Sequence, residues 1–504
     1  MGKTLTLRDY QAQLLADIRE AWDSDPRVMA WLPTGGGKTE ISVQLAREEE
    51  ARKGVTLFVV ERKTLARQAA DRFRKYGMLV GILRGEDTHV RGYEPVIVAS
   101  IQTIASRKDY GLVADTLARV TLIVVDEAHI RFKDHTTVEE ACPDARVVGL
   151  SATPLRDGLG NHFDTLARGP SYEWMIEHGH LVRPRYFLPD LSSLTKGMRG
   201  VAVSSTGDFA QDQLAKLMRE KAIIGDVVTT WQAKAEGRQT IVFCVDIAHS
   251  KDVCDSFQLA GVAAEHIDQR TKEDERAGMF ERFRTGQTKV LCSIGVLSLG
   301  FDQPIASCAV LARPTLSLAL HVQQVGRVMR PHPDKGDCIV LDHAGNVIRH
   351  GRVEEFCPPE LSDLDRHSDK KKRTDSAADY FPCPQCSAVM DPGQRVCKEC
   401  GHEIQRKNDV HFVPGELQEQ AGEVVAMEER MREMYAELRY YARQKGYKDG
   451  WAYFKMKEEM QFQPPFHWRH DGMKMPTVGT LNYIKSWNIA FAKRKQKERA
   501  HAMY

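Results

Sequence analysis

Long apolar runs are missing from this chain. No stretch of its 504 residues approaches the roughly 18 consecutive apolar residues of a membrane span, and the first residues carry no apolar signal-peptide core. A surplus of one charge is missing too. With 71 Lys and Arg against 69 Asp and Glu the net charge is +2, so a basic surface for any polyanion has to be local. No carboxylate–lysine motif of a nuclease stands out. Cysteines are few and form no secreted disulfide framework. Seven of the eleven (Cys142, Cys244, Cys254, Cys292, Cys308, Cys338 and Cys357) are scattered in or beside apolar stretches, as reduced core thiols of a cytoplasmic protein would be. The remaining composition is that of a globular protein, 42% hydrophobic and 28% charged, long enough for about three to four domains.

Against that background two segments carry chemistry. Leu32-Pro33-Thr34-Gly35-Gly36-Gly37-Lys38-Thr39 precedes Asp126-Glu127-Ala128-His129 by about ninety residues. The first is a glycine-rich phosphate cradle. Backbone N–H groups from Thr34 to Lys38 can converge on a phosphate, and a helix starting near Lys38 aims its positive end there. Gly35, Gly36 and Gly37 let the backbone approach closely. Lys38 would neutralise β/γ oxygens, and the Thr39 hydroxyl would ligate Mg²⁺. The usual pattern has Gly where this chain has Leu32. The second segment ends the β-branched run Leu122-Ile123-Val124-Val125 with two carboxylates: Asp126 to complete the Mg²⁺ site, Glu127 to act as base for water. Together they imply ATP hydrolysis.

Apolar strands alternate with helical patterns twice over, the signature of parallel α/β sheets. The strands are expected at Thr56–Val60, Val96–Ala99, Leu122–Val125 and Val147–Leu150, then at Thr240–Val245, Val290–Ser293, Ser307–Ala312 and Asp337–Asp342. The reading divides the chain into a first α/β domain (1–185), a linker or insertion (186–220), a second α/β domain (221–355), a linker (356–381), a small metal module (382–403) and an accessory region (404–504). The basic run Asp369-Lys370-Lys371-Lys372-Arg373 is either a solvated linker or a phosphate-contacting patch.

The motifs resemble those of superfamily 2 helicases, in order and spacing, over about residues 5–350. Arg8-Asp9-Tyr10-Gln11 resembles the Q-motif, in which Gln11 would read adenine. Glu61-Arg62-Lys63-Thr64-Leu65 looks like motif Ia, Ser100-Ile101-Gln102-Thr103 like a nucleic-acid-contacting strand end, and Asp126 to His129 like a DEAH box. Ser151-Ala152-Thr153-Pro154 is similar to motif III, which couples nucleotide to movement. Leu299-Gly300-Phe301-Asp302 resembles motif V, and Gln323-Gln324-Val325-Gly326-Arg327-Val328-Met329-Arg330 resembles motif VI. On a helix Arg327 and Arg330 would share one face, where planar guanidinium groups suit a γ-phosphate whose charge grows in the transition state. The resemblance implies two RecA-like domains that close around ATP. Residues 290–302, 312–317 and 341–351 look like the bacterial RadD family of DNA-repair ATPases. That implies DNA, single-stranded or forked, as substrate, single-stranded DNA-binding protein and recombinase as partners, and the cytoplasm of a bacterial or phage-infected cell as compartment; the motor of a restriction or defence system, an RNA helicase and a nucleotide-switched DNA clamp that does not unwind are the alternatives the same motifs allow.

Cys383, Cys386, Cys397 and Cys400 form two CxxC pairs with ten residues between them. Four thiolates at this spacing suit tetrahedral Zn²⁺, in a zinc-ribbon-like module expected to hang on a flexible linker, independent of the motor. Beyond it Met427, Met431, Met434, Leu438 and Tyr441 recur at helical steps, giving one apolar face in a mostly helical region. Trp451, Tyr453, Phe454, Phe462, Phe466 and Trp468 then interleave with Lys455, Lys457, Arg469 and His470. These rings suit either stacking on unpaired bases or a small aromatic core. Residues 485–499 hold six Lys and Arg against one Glu, a tail that could track phosphates or simply be solvated.

Overall fold

The computed structural model describes residues 4–60, 63–85, 88–109, 111–128, 132–155, 158–188, 198, 200–204, 207–219, 221–295, 303–361, 380–403, 422–448, 450–459, 462–477, 479–481, 483–485 and 487–488. The chain forms two compact units, Met1–Gln405 and Arg406–Tyr504.

The first unit contains two parallel sheets. Strands β1 (Arg27–Trp31), β2 (Val55–Val60), β3 (Val80–Leu83), β4 (Val96–Ser100), β5 (Val120–Asp126), β6 (Arg146–Ser151) and β7 (Thr165–Arg168) lie in the order β3-β4-β2-β5-β6-β1-β7. Strands β8 (Pro184–Phe187), β9 (Thr240–Phe243), β10 (Ala264–Ile267), β11 (Val290–Ser293), β12 (Cys308–Leu311) and β13 (Cys338–Asp342) lie in the order β10-β11-β9-β12-β13-β8. Central strands such as β2, β4 and β9 are buried along their whole length. Continuous Val/Ile/Leu runs are what a sheet covered on both faces requires.

Strand register brings the motifs together. The glycine-rich loop leaves the C-terminal end of β1, and Asp126 ends β5; β6 lies between them. Trp31 is level with Ser151, and Asp126 with Leu150. All three motifs therefore share one sheet edge, the C-terminal one, where open α/β sheets hold ligands.

The stretch expected to be a linker or insertion begins in β8 and then packs beside the second sheet. It contains the helix Gln211–Met218 and a bridge from Val203 to Phe209. Asp208 holds this insertion to the sheet edge, accepting from the Leu316 amide at 2.7 Å and the Thr315 hydroxyl at 2.9 Å. The runs at 312–317 and 341–351 meet at the same edge. Asn346 donates to the Arg313 carbonyl at 3.0 Å and accepts from the Thr315 amide at 3.1 Å. Strand β8, which crosses the 185/186 division, belongs to the second sheet, beside β13.

The cysteine module does not hang free. Its short hairpin, β14 (Phe381–Pro382) with β15 (Val389–Met390), is docked on β8. Phe187 bridges to Ala388, the Leu188 amide donates to the Ser387 carbonyl at 2.8 Å, and Arg185 reaches Glu399 at 2.9 Å and Asp337 at 2.9 Å. Cys383, Cys397, Ala388 and Met390 share one apolar cluster with Phe187. The expectation of an independent module fails because these apolar side chains are buried on the edge strand. Cys357, expected in a core, is exposed.

The second unit is a small helical domain. Helices Gly422–Gln444 and Trp451–Glu459 and the 3-10 turn Phe466–His470 surround Tyr435, Leu438, Ala452, Met456, Trp468, Ile484 and Trp487. Met431, Met434 and Tyr441 flank that core, as the helical spacing predicts; the Met427 side chain lies outside the described residues.

Candidate nucleotide site and cysteine cluster

Gly35 and Gly37 have φ of 89° and 91°, a left-handed conformation that glycine adopts without strain. Gly37 caps the helix Lys38–Ala51, so that helix directs its positive end at the loop. Leu32 fills the space beneath: a Cβ on Gly36 would meet its Cγ at 2.7 Å. The departure from the usual glycine is thus part of the packing. The Gly36 carbonyl accepts from the Tyr10 hydroxyl at 2.8 Å and the Gln11 amide at 3.0 Å. The Gln11 carbonyl oxygen accepts from the Arg8 amide at 2.9 Å, so both ends of the Gln11 amide are engaged. Tyr172 accepts from the Thr34 amide at 3.1 Å, a support for the loop that no motif announces.

Lys38 Nζ is 3.4 Å from Glu127 Oε1, so the loop cation and the carboxylate of the other motif already meet. Glu127 has φ of 51°, a strained value for a residue with a long side chain, of the kind that collects at functional sites. Its amide donates to Asp126 at 3.1 Å. Burial, and after it the Glu127 charge, push the Asp126 carboxyl up from its ordinary range, against the pull of Lys38 and Arg72. A bound cation would relieve the remaining repulsion between the two carboxylates. Hydroxyl and carboxylate oxygens from Thr39 and Asp126 suit a hard ion such as Mg²⁺. Arg72, which donates to Thr39 Oγ1 at 3.3 Å, is a further cation here; nothing in its local sequence marks it.

These groups line a cleft of about 360 Å³ whose opposite wall comes from the second sheet: Pro304, Arg327, Arg330 and Pro331. The helix Leu318–Gly326 ends just before Arg327, so the two arginines lie at and beyond its terminus instead of sharing a helical face. Arg327 is buried. Gln323 is buried a turn earlier.

The described residues of the segments 100–103 and 151–154 are engaged with their own neighbours. Ser151 accepts from the Thr153 amide at 3.0 Å, and the Trp31 indole donates to the Ala152 carbonyl at 3.0 Å, tying this segment to the strand that feeds the loop. Thr103 is buried, its hydroxyl 2.7 Å from that of Ser100 and accepting from the Gly85 amide at 3.0 Å. It would have to leave those partners to reach a phosphate. Arg62, His129, Gly300 and Asp302 lie outside the described residues.

In the cysteine module Cys383 and Cys400 sulfurs are 3.8 Å apart and Cys386 and Cys397 sulfurs 3.6 Å; all four lie within 4.8 Å of one another. Metal–sulfur bonds of about 2.3 Å in a tetrahedron put thiolates about 3.8 Å apart, so the four fit one zinc ion. The two pairs form matching knuckles. Amides of Ser387 and Gly401 each donate to the carbonyl of the cysteine four residues earlier at 2.9 Å, and both residues are left-handed, with φ of 63° and 73°.

Comparison with known proteins finds two families along the chain. Residues 4–156 match the family described as type III restriction enzyme, res subunit, and residues 219–332 match the helicase conserved C-terminal domain. A 51.5 kDa protein of a Lactococcus phage (isolate 7-9) is 29% identical over 395 residues, covering 77% of this chain and 80% of that protein. A protein of Saccharomyces cerevisiae named as an ATP-dependent helicase, IRC3, is 30% identical over 363 residues. That match covers 67% of this chain but only 51% of the yeast protein. Among solved structures, a fragment assigned as an HsdR subunit of a type I restriction enzyme from Vibrio vulnificus YJ016 superposes with a TM-score of 0.54 at 20% identity. It covers 69% of this chain and 66% of the fragment.

Proposed function

We infer, from a chain that belongs to superfamily 2 of the helicases, that it is a DNA-dependent ATPase whose two sheets close on ATP and open after hydrolysis. The observation that carries this reading is the shared cleft: Lys38 and Glu127 on one wall, Arg327 and Arg330 on the other. In it Lys38 and the loop amides of Thr34 to Lys38 bind phosphate oxygens, and Arg8 and Gln11 lie at the adenine end. Glu127 orients and deprotonates water, and the two arginines stabilise charge on the departing γ-phosphate. Thr39 and Asp126 would hold Mg²⁺, which when bound shields phosphate charge. The Ser151–Thr153 segment, level with the loop strand, carries the change in the cleft to the rest of the sheet, with Gln323 behind the arginines.

The runs at 290–302, 312–317 and 341–351 favour repair or recombination of DNA, with single-stranded DNA-binding protein and recombinase as partners, in the cytoplasm. The motor subunit of a restriction or defence system is the second reading, favoured by the restriction-enzyme family match over residues 4–156. The test is ATPase rate with single-stranded, duplex and forked DNA and with RNA, beside a strand-displacement assay. Stimulation by single-stranded or forked DNA is expected. A rate unmoved by any DNA overturns the reading, and stimulation only in the presence of a modification subunit favours the second.

A further inference from the structure

The aromatic side chains of the second unit divide into two sets, and only one of them is a core. Trp468 and Met456 are buried with Tyr435, Leu438 and Ala452. Phe454 and Phe466 are 56% and 72% exposed. These two rings are outside the core, and leaving them in water forgoes the burial that a large ring would otherwise contribute.

Their surroundings are specific. The Arg469 guanidinium lies 4.8 Å from the Phe466 ring centre and 5.5 Å from that of Tyr453. Tyr453 meets Phe454 edge to face at 5.6 Å, and His470 lies 6.3 Å from Phe466. The adjacent carboxylate, Asp471, is already held by Arg432 at 2.7 and 2.9 Å. Among the described residues Arg469 pairs with no carboxylate; its contacts are rings. A cation fixed on a ring, next to further open rings, matches a ligand with flat π faces and a negative charge close to each. Unpaired bases on a phosphate backbone have that form. Duplex DNA hides its base faces and would gain only the charge.

We propose that Tyr453, Phe454, Phe466, Arg469 and His470 form a binding site for single-stranded DNA, on which bases stack while Arg469 takes a phosphate. The proposal rests on the reading of the chain as a DNA-dependent ATPase and deepens it: the motor is given a grip on unpaired strand outside its own sheets.

The test is fluorescence anisotropy of the full chain with a labelled oligothymidylate, for wild type, Phe454→Ala, Phe466→Ala, Phe466→Trp and Arg469→Ala. Loss of a stacking ring is expected to weaken binding by roughly 5- to 150-fold. Phe466→Trp should retain affinity, and Arg469→Ala should lower the salt dependence by about one phosphate contact. Melting temperatures should not move, because these side chains lie in water. Wild-type affinity in all three alanine variants, with DNA-stimulated ATPase intact, overturns the site and leaves the proposed function standing. A wild-type chain that binds no single strand and is stimulated by no DNA overturns both. Variants that keep oligothymidylate but lose an acidic, aromatic peptide would make the patch a protein dock and overturn the proposal as well.

Discussion

Thr34 occupies the space where Gly326 would carry a side chain. A Cβ on Gly326 would lie 2.6 Å from Thr34 Cβ and 2.8 Å from its methyl group. One residue belongs to the phosphate loop and the other precedes the arginines of the opposite wall, so the two sheets are in direct contact beside the cleft.

Gly326→Ala should therefore hold the walls apart. Displacement of the arginines by even about 1 Å is expected to lower ATP turnover by about 10²-fold, with less effect on binding of a non-hydrolysable ATP analogue, since the new methyl meets the Thr34 side chain and not Lys38. Steady-state kinetics beside equilibrium binding would check this. Wild-type turnover would mean that closure does not depend on the contact.

Glu127→Gln removes the carboxylate but keeps the shape of the side chain. Turnover should drop by roughly 10²–10⁴-fold while ATP binding persists. Lys38→Ala should weaken binding and turnover together, because it loses a phosphate contact present in both states. Near-normal hydrolysis in the Gln variant would remove Glu127 from its role as base.

Arg327→Ala and Arg330→Ala should each lower turnover far more than nucleotide affinity, by up to about 10³–10⁵-fold where a guanidinium meets the γ-phosphate. If one of the two chiefly weakens binding, that residue holds the ground state instead.

How far the sequence can be read depends on what each feature needs. Strand β5 is legible because Leu122 to Val125 is β-branched or aliphatic throughout and ends in two carboxylates. Strand β1 is not among the expected strands: its apolar stretch runs straight into the glycine-rich loop, which masks its end. The edge strands β3, β7, β8 and β10 are four residues each, and all but β3 carry partly exposed positions in their interior, so their periodicity is weak. The phosphate loop and the four cysteines are local patterns and survive translation into structure. Contacts such as Arg185 to Glu399, 214 residues apart, leave no local trace, and neither does the support that Tyr172 and Arg72 give to the loop. Composition cannot divide Phe466 from Trp468; that division depends on which side of a short helical turn each falls.

Glu354 makes stability depend on pH. Burial, opposed by the Tyr186 hydroxyl at 2.7 Å, pushes its carboxyl from 4.5 to about 7. Between those values the folded chain keeps a proton that the unfolded chain has released, so stability falls as pH rises through this window and is flat above it. Replacing Glu354 with Gln should remove its share of the slope, up to ~3 kcal/mol. Urea unfolding of both proteins on either side of the window would show it. Parallel pH profiles would mean that Glu354 ionises in the folded chain as freely as in water.

Docking of the cysteine module on β8 changes what metal loss should do. Were the module independent, Cys397→Ser with Cys400→Ser would unfold about residues 380–403 and leave the motor alone. Cys383 and Cys397 instead share a cluster with Phe187 and with Val242 and Val310 of the second sheet. Zinc binding contributes about 10–16 kcal/mol in small zinc modules, and part of that is expected to reach β8 through Phe187 and the Leu188–Ser387 hydrogen bond. The double variant should therefore release close to one equivalent of zinc and lower the melting temperature of the second sheet. Turnover should fall as Arg327 and Arg330 lose a rigid support, while ATP binding on the first sheet declines less. Arg185→Ala, which cuts the polar tie to Glu399 but spares the thiolates, should retain zinc and show a milder loss of stability. Elemental analysis, calorimetry and ATPase assays on the three proteins are sufficient. Zinc loss with an unchanged melting profile would return the module to the status of an independent appendage, and a wild-type protein without zinc would remove the metal from the account.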